Sequence, residues 1–293
     1  MTDCVNELTG LEPRHGFFIG VDSDGCVFNT MTVKQMRCFC PNTIKQFRLE
    51  PVAGYVRDAT AFVNLYSKFR GMNRYPAILM VLNLLAQRPE VVASGVRVPE
   101  LRRLRQWIQE ESTLSKSALR SLVERTGDEE LRTVLAWADA VDASIEAVVK
   151  GVSPFPRVRE SLDRAASKAD ILVVSQTPLE ALRREWVEHD LIRYVRLIAG
   201  QEHGTKTEHL ALATRGKYEA DRILMIGDAQ GDFQAARDNK VSFFPIVPGK
   251  EADSWKRFHD EALNRFLAGT FKGAYEAALF RDFDAALPEQ PNW

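Results

Sequence analysis

The sequence predicts an α/β protein in which a doubly wound, mostly parallel sheet is interrupted after its first strand by a long helical insertion. Two observations lead to this fold class. Residues 16–21 form an apolar run, rich in aromatic and β-branched residues, that is followed over residues 32–150 by helical spacing alone. From residue 151 onward, short apolar runs alternate with helical segments. Strands that alternate with helices form parallel sheets covered by helices on both faces.

The strands of the predicted sheet come from both ends of the chain. After the first, strands are expected at residues 171–174, 195–199, 222–226 and 241–247. Their apolar runs are continuous, as in strands buried on both faces. Helices are expected between them, and the chain from residue 251 is mostly helical with no recognisable motif. We therefore expect one α/β domain made of residues 1–31 and 151–293.

The insertion, residues 32–150, is expected to be an all-helical domain. Apolar residues recur at helical spacing over residues 52–68, Pro99 suits the first position of another helix, and Asp128 can cap a long one. Gly151 stands where a glycine often ends a helix.

Composition excludes several classes of protein. The net charge is −1, which gives no reason to expect nucleic-acid binding. The N-terminus lacks the basic and apolar segments of a secretory signal, and the longest apolar run, residues 77–86, is half of a membrane span, so no membrane association is expected. The four cysteines include no CxxC pair, which favours reduced thiols in the cytoplasm.

Polar side chains follow four of the predicted strands, and they are candidates for a functional site. Sites in parallel sheets lie beyond the carboxyl ends of the strands, so these side chains should converge. In strand order, they are Asp22 and Asp24, then Ser175 and Gln176, then Lys206, and finally Asp228 and Asp232.

The chemistry of this set is coherent. Carboxylates such as Asp22, Asp24 and Asp228 repel one another unless a cation lies between them, and oxygen ligands without His or Cys suit Mg²⁺. Lys206 can bind phosphate as a point charge, while Ser175 and the backbone amide of Gln176 can donate to phosphate oxygens. Taken singly, each motif also fits a turn, a helix cap or a solvated lysine. Their order and shared context favour a phosphoryl-transfer site, in which an aspartate can be the covalent nucleophile.

The order of these motifs resembles the haloacid dehalogenase superfamily. DSDG at residues 22–25, Ser175, Lys206 and GDAQGD at residues 227–232 match its four motifs. The resemblance implies that Asp22 is the nucleophile and Asp24 the general acid/base. It implies that Mg²⁺ is held by Asp22, Asp228 and the backbone carbonyl of Asp24, with Asp232 supporting the metal shell. Ser175 and Gln176 would bind the phosphate, and Lys206 would steady both phosphate and nucleophile.

Asp24 and the helical insertion point to the reaction class within this superfamily. Members that cleave carbon–halogen bonds usually lack an acid at the position of Asp24, and the insertion resembles the cap domain of members acting on small metabolites. The resemblance therefore implies a phosphatase for a small phosphorylated metabolite. A phosphosugar mutase with the same core stays open, as do a phospho-accepting receiver module and an inactive binding protein. Oligomeric state is not predicted.

A basic turn in the insertion is a candidate for substrate binding. Lys68, Arg70 and Arg74 surround Gly71, which should break the helix there. Arginine suits a carboxylate or a second phosphate on the substrate's leaving group. The alternative interpretation is a solvated helix end followed by a loop.

Overall fold

The computed structural model describes residues 5–293 and, in the first helix, the backbone of residues 2–4. Its sheet contains five strands, all parallel, in the order β3-β2-β1-β4-β5. They are β1 (Phe17–Val21), β2 (Ala169–Val174), β3 (Leu197–Ala199), β4 (Ile223–Gly227) and β5 (Ser242–Pro245). The first strand therefore lies at the centre of the sheet. The predicted fold class is confirmed, and each strand begins within two residues of its predicted start.

Helices account for most of the remaining chain. In chain order they are α1 (Thr2–Thr9), α2 (Thr30–Val33), α3 (Cys40–Gln46), α4 (Ala53–Leu65), α5 (Arg74–Gln87), α6 (Pro89–Ala93), α7 (Arg102–Glu110), α8 (Lys116–Thr126), α9 (Glu129–Val148), α10 (Val158–Ala166), α11 (Leu179–Glu188), α12 (Lys206–Thr214), α13 (Gln230–Asp238), α14 (Glu251–Arg257), α15 (Leu263–Leu267) and α16 (Ala274–Ala285). A π-helical stretch, residues 34–39, joins α2 to α3.

The chain divides into two compact units. The α/β unit contains the chain up to Thr30 and residues 151–287, and the helical unit contains residues 31–150 and 288–293. The structure thus corrects the expected boundaries, because residue 31 and residues 288–293 belong to the helical unit and not to the α/β domain. Trp293 packs edge-on against Phe62 at 5.6 Å, and Glu289 Oε1 lies 3.2 Å from Lys68 Nζ. These contacts attach the last six residues to the helical unit.

The sheet of the α/β unit is covered on both faces, as the continuous apolar strands require. Ile19 and Val21 face a core that contains Trp186 of α11 and Trp255 of α14. Phe18, on the opposite face of β1, belongs to a second core with residues of α1, α12, α13 and α16. Side chains of a strand alternate between faces, so β1 contributes to both cores.

The helical unit has a separate core, and it contains no strand among the residues that the structure describes. Asp128 caps α9 as predicted, with its side chain accepting from Leu131 N at 3.0 Å. The helix expected to open at Pro99 begins instead at Arg102, because Leu101 adopts a left-handed conformation with φ 46°. Pro99 therefore lies in the irregular segment that precedes α7.

Candidate active site

Three aspartates meet at the carboxyl edge of the sheet. Asp22 follows β1 and donates its backbone N–H to the Ile226 carbonyl of β4 at 2.9 Å. Asp228 follows β4 directly, and Asp232 lies in the first turn of α13. The three side chains are buried and each offers a carboxylate oxygen within 4.8 Å of the others. Neighbouring parallel strands therefore bring together residues separated by two hundred positions in the chain.

Lys206 places a single ammonium group among these carboxylates. It is the first residue of α12, whose N-cap Thr205 accepts from Glu208 N at 3.2 Å. Its Nζ lies 2.9 Å from Asp22 Oδ2 and 2.6 Å from Asp232 Oδ1. Burial alone would lower the pKa of Lys206, but the carboxylates of Asp22 and Asp232 outweigh it and raise that pKa. The lysine is therefore held as a cation.

The electrostatics of Asp22 show an excess of negative charge in the cluster. Burial raises the pKa of Asp22 well above its usual range, the Lys206 ammonium lowers it, and the carboxylates of Asp232 and Asp228 raise it again. One ammonium faces three carboxylates, so the cluster as a whole favours a further cation. A divalent ion would compensate the excess charge and favour the ionised form of Asp22.

The position of Asp232 depends on a glycine. Its Oδ2 accepts from the backbone N–H groups of Asp228 and Ala229, each at 3.1 Å, while its Oδ1 accepts from Lys206. This carboxylate lies so close to Gly227 that a Cβ there would come within 2.3 Å of it. Asp232 thus has three protein donors, two of them backbone N–H groups, which suits a residue that orients the site.

Asp24 lies outside this carboxylate group. Its side chain accepts a hydrogen bond from the hydroxyl of Thr30, a buried residue at the end of the same unit. The side chain of Asp24 is therefore not part of the acidic group, which corrects its place in the predicted metal set. The backbone carbonyl of Asp24, to which the resemblance assigns the metal contact, stays a prediction. The two oxygens of Asp22, by contrast, accept from Ser23 N at 2.7 Å and from Lys206. Thr30 was missed because a threonine six residues after an aspartate carries no signal by itself.

Ser175 and Gln176 follow β2, the strand beside β1. Ser175 is buried, its N–H donates to the Ala199 carbonyl at 3.0 Å, and its hydroxyl accepts from Thr177 N at 3.2 Å. The side-chain amide of Gln176 donates to the Gly204 carbonyl at 2.8 Å, two residues before Lys206. These bonds connect the ends of β2 and β3 to the start of α12. The structure thus ties the predicted phosphate-binding segment to the segment that presents the lysine.

The basic turn of the helical unit has partners of its own. Arg70 is only 4% exposed and donates from Nη1 to the Leu65 carbonyl at 3.0 Å, at the end of α4. Arg74 Nη1 lies 2.7 Å from Asp142 Oδ1, and Lys68 is paired with Glu289. The expectation that Arg70 reads the substrate therefore needs correction, because its guanidinium is buried against backbone. Lys68 and Arg74 are partly exposed ion-pair members.

The donor set fits a hard divalent cation. Asp22 and Asp228 offer carboxylate oxygens, and the acidic group contains no histidine or cysteine ligand. Mg²⁺ prefers such oxygen donors and commonly takes one or two protein carboxylates, leaving positions for water and phosphate oxygens. The residues present are therefore compatible with Mg²⁺.

Within the part of the chain that the structure describes, no helix combines the length and apolar character that a membrane crossing requires.

Comparison with known proteins agrees with this geometry. The model of the haloacid dehalogenase-like hydrolase family matches residues 102–246, a range that includes Ser175, Lys206, Asp228 and Asp232 and starts after the first motif. The sequence has no significant match among curated proteins.

Several solved structures match this chain at low sequence identity and at TM-scores below 0.5. A haloacid dehalogenase-like hydrolase from Streptococcus pneumoniae is 12% identical with a TM-score of 0.45, covering 84% of this chain and 91% of that one. A hydrolase from Pseudomonas syringae is 14% identical with a TM-score of 0.45, covering 86% and 98%. A predicted phosphoglycolate phosphatase from Haemophilus somnus is 16% identical with a TM-score of 0.40, covering 80% and 86%. Such similarity does not by itself specify a function.

The parallel sheet, with an acidic group at its carboxyl edge and a second, helical unit inserted after β1, defines a Rossmann-like α/β fold. The family match is more specific than this fold class. Residues 102–246, about half of the chain, match the haloacid dehalogenase-like hydrolase family.

Proposed function

We propose that this hydrolase is a Mg²⁺-dependent phosphatase that acts on a small phosphorylated metabolite. One observation carries the proposal: the buried Asp22 carboxylate lies 2.9 Å from the Lys206 ammonium and within one group with Asp228 and Asp232. A carboxylate nucleophile must approach an anionic phosphate. Lys206, together with a divalent cation held by the acidic group, would supply the positive charge that lowers the repulsion.

Asp22 is proposed as the nucleophile. One of its oxygens attacks the phosphorus, so that an acyl–phosphate bond forms while the bond from phosphorus to the leaving oxygen breaks. Ser23 N and Lys206 hold the carboxylate in place, since they donate to Oδ1 and Oδ2 respectively. Water then attacks the phosphorus of the aspartyl-phosphate, which releases inorganic phosphate and restores the carboxylate.

Asp24 is proposed as the general acid and base. In the first step it gives a proton to the leaving oxygen, and in the second it takes a proton from the attacking water. Its partial exposure and its bond to Thr30 separate it from the buried cluster. The two aspartates of the same loop thus have different surroundings, as two different roles require.

Phosphate binding is assigned to residues that follow two strands, β2 and β3. Lys206 contributes charge, while the Ser175 hydroxyl and the backbone amide of Gln176 contribute hydrogen bonds. Asp22, Asp228 and the Asp24 carbonyl are proposed to hold Mg²⁺, with Asp232 supporting them. When bound, the ion neutralises charge on the phosphoryl oxygens.

The cellular setting is inferred from the thiols. Cys26, Cys38 and Cys40 are buried and free, which supports a reducing compartment such as the cytoplasm. The substrate is proposed to be a soluble metabolite. Lys68 and Arg74 are proposed to contribute to its recognition because their side chains are partly exposed, whereas Arg70 is buried.

The test is hydrolysis of p-nitrophenyl phosphate and of a panel of phosphorylated metabolites. We expect release of inorganic phosphate that requires Mg²⁺, stops with EDTA and falls by at least about 10⁴-fold in Asp22→Asn. Turnover that survives in Asp22→Asn would refute the mechanism. Conversion of a sugar phosphate to its isomer without phosphate release would instead establish the mutase reaction.

A further inference from the structure

The loop that carries Asp22 and Asp24 is a tight turn closed on one carbonyl. The Ser23 carbonyl accepts from Val27 N at 2.9 Å, from Phe28 N at 3.1 Å and from Cys26 N at 3.3 Å. Gly25 has a φ of 86°, a conformation that residues with a Cβ rarely adopt. Ser23 stands between the two aspartates, so its position determines how they face each other.

Two buried indoles donate to this loop. Trp186 Nε1 lies 3.0 Å from Ser23 Oγ, and Trp255 Nε1 lies 2.8 Å from the Cys26 carbonyl. Both tryptophans and Ser23 are 0% exposed. Trp186 also contacts Phe28 edge-on at 6.0 Å, so it reaches both ends of the turn.

The two donors come from opposite sides of the central strand. Trp186 lies in α11, which follows β2 on one side of β1, and Trp255 lies in α14, which follows β5 on the other side. They are separated from their acceptors by 163 and 229 residues. Packing of the core does not require these two hydrogen bonds, because an apolar ring such as that of phenylalanine would fill the same space.

We propose that Trp186 and Trp255 are positioning residues for catalysis, which hold the loop so that Asp22 and Asp24 face the same substrate phosphate. The inference rests on the proposed phosphatase function. The indole N–H groups act through Ser23 and Cys26, and they do not touch the substrate. Displacements of about 1 Å in a catalytic constellation can cost about a hundredfold in rate, so loosening the turn should lower kcat more than it alters substrate binding.

The helical unit supplies a matched control. Trp137 Nε1 donates to the Thr43 hydroxyl at 3.1 Å, and Trp137 is 1% exposed. This bond has the same chemistry, the same length within 0.1 Å of the Trp186 bond, and the same burial, but it lies in a different core. Trp137→Phe therefore reproduces the loss of ring volume and of an indole donor without affecting the loop.

The first experiment compares Trp186→Phe, Trp255→Phe and Trp137→Phe. We expect the first two to lower kcat by about tenfold or more with KM changed by less than about threefold. Trp137→Phe should leave kcat within about twofold while its urea midpoint falls as far as theirs. If all three variants lose kcat in proportion to stability, the tryptophans are ordinary core residues and the proposal is wrong.

The second experiment uses Ser23→Ala, alone and with Trp186→Phe. Both single variants break the same bond, so the double variant should have a kcat no lower than the worse single variant. Strictly multiplicative losses would show that Trp186 does not act through Ser23 and would overturn its assignment.

A third measurement does not depend on activity. Amide hydrogen exchange at Val27 and Phe28, whose N–H groups donate to Ser23, should accelerate by about tenfold or more in Trp186→Phe and Trp255→Phe, and should not change in Trp137→Phe. Unchanged exchange would refute the anchoring. An inactive wild-type protein would count against the phosphatase proposal alone, because exchange still tests whether the indoles hold the loop.

Discussion

The carboxyl edge of the sheet and the basic turn between α4 and α5 are both dense in charged residues, yet they are organised in opposite ways. At the sheet edge, Asp22, Asp228 and Asp232 share one ammonium from Lys206 and retain an excess of negative charge. In the turn, each basic residue has a separate partner: a backbone carbonyl for Arg70 and a carboxylate for Arg74. An excess of one charge favours the binding of a ligand of opposite charge, whereas Lys68 and Arg74 would have to exchange a protein partner for the substrate.

The largest effect is expected when the buried ammonium group of the site is removed. Lys206→Met should lower kcat by about 10³-fold, because the phosphate and Asp22 both lose their counter-charge. It should also destabilise the metal-free protein by about 3–5 kcal/mol, the usual cost of leaving buried carboxylates without their cation. Urea unfolding with and without Mg²⁺ measures this, and Mg²⁺ should stabilise the variant more than the wild type. Equal stabilisation by Mg²⁺ would argue against shared charge compensation.

The second prediction separates the two aspartates of the loop. Asp24→Asn should lower kcat by about 10²- to 10⁴-fold, the usual contribution of general acid/base catalysis. It should leave the free energy of unfolding nearly unchanged, because Asp24 is partly exposed and outside the buried cluster. Near-normal turnover of an alkyl phosphate by Asp24→Asn would show that the role belongs to another residue. Thr30→Val, which removes the hydroxyl that holds Asp24, should give a smaller loss.

The sheet edge was predictable from sequence for a topological reason. Buried apolar strands are easy to recognise, and parallel strands all end at one edge, so the residues after them converge whatever their separation in the chain. Asp22, Ser175, Lys206 and Asp228 could therefore be grouped before their distances were known. The sequence-based prediction went wrong where a side chain's partner depends on packing. No periodic pattern in the sequence predicts the burial of Arg70 against a carbonyl, the indole bonds of the loop or the attachment of residues 288–293 to the helical unit.

The third prediction tests the structural assignment of Arg70. Arg70→Met keeps most of the buried aliphatic volume and removes the donor to the Leu65 carbonyl, so it should cost about 1–3 kcal/mol of stability. Turnover of p-nitrophenyl phosphate should stay within about twofold at a temperature where the variant is folded. Arg70→Lys is the conservative companion, and it should recover part of the lost stability. A large loss of kcat with no loss of stability would return Arg70 to the substrate site.

The fourth prediction concerns His209, a buried base in the same helix as Lys206. Burial, together with the nearby His203 and Lys206, lowers the pKa of His209 to about 4. Because the folded protein binds this proton less readily than the unfolded chain, His209 should reduce stability as pH falls from about 6.5 towards 4. At pH 5 this proton linkage lowers the free energy of unfolding by about 2 kcal/mol. Relative to His209→Gln, the wild type should lose that amount between pH 7.5 and 5. If the free energies of unfolding of the wild type and of His209→Gln changed with pH in parallel, the prediction would be wrong.

The smallest effect on stability is expected at Arg74, and its effect on activity decides whether the basic turn reads substrate at all. Its ion pair with Asp142 is partly exposed, and such pairs contribute about 0.2–1 kcal/mol. If Arg74 binds an anionic leaving group, Arg74→Ala should lower kcat/KM steeply on the preferred metabolite and barely on p-nitrophenyl phosphate, whose leaving group carries no such anion. Lys68→Ala should behave in the same way. Arg120→Ala, which breaks a comparable pair with Asp139 in the same unit, is the matched control and should affect neither substrate. Equal losses on both substrates, or none on either, would leave Arg74 as a surface ion pair and place the recognition of the leaving group elsewhere.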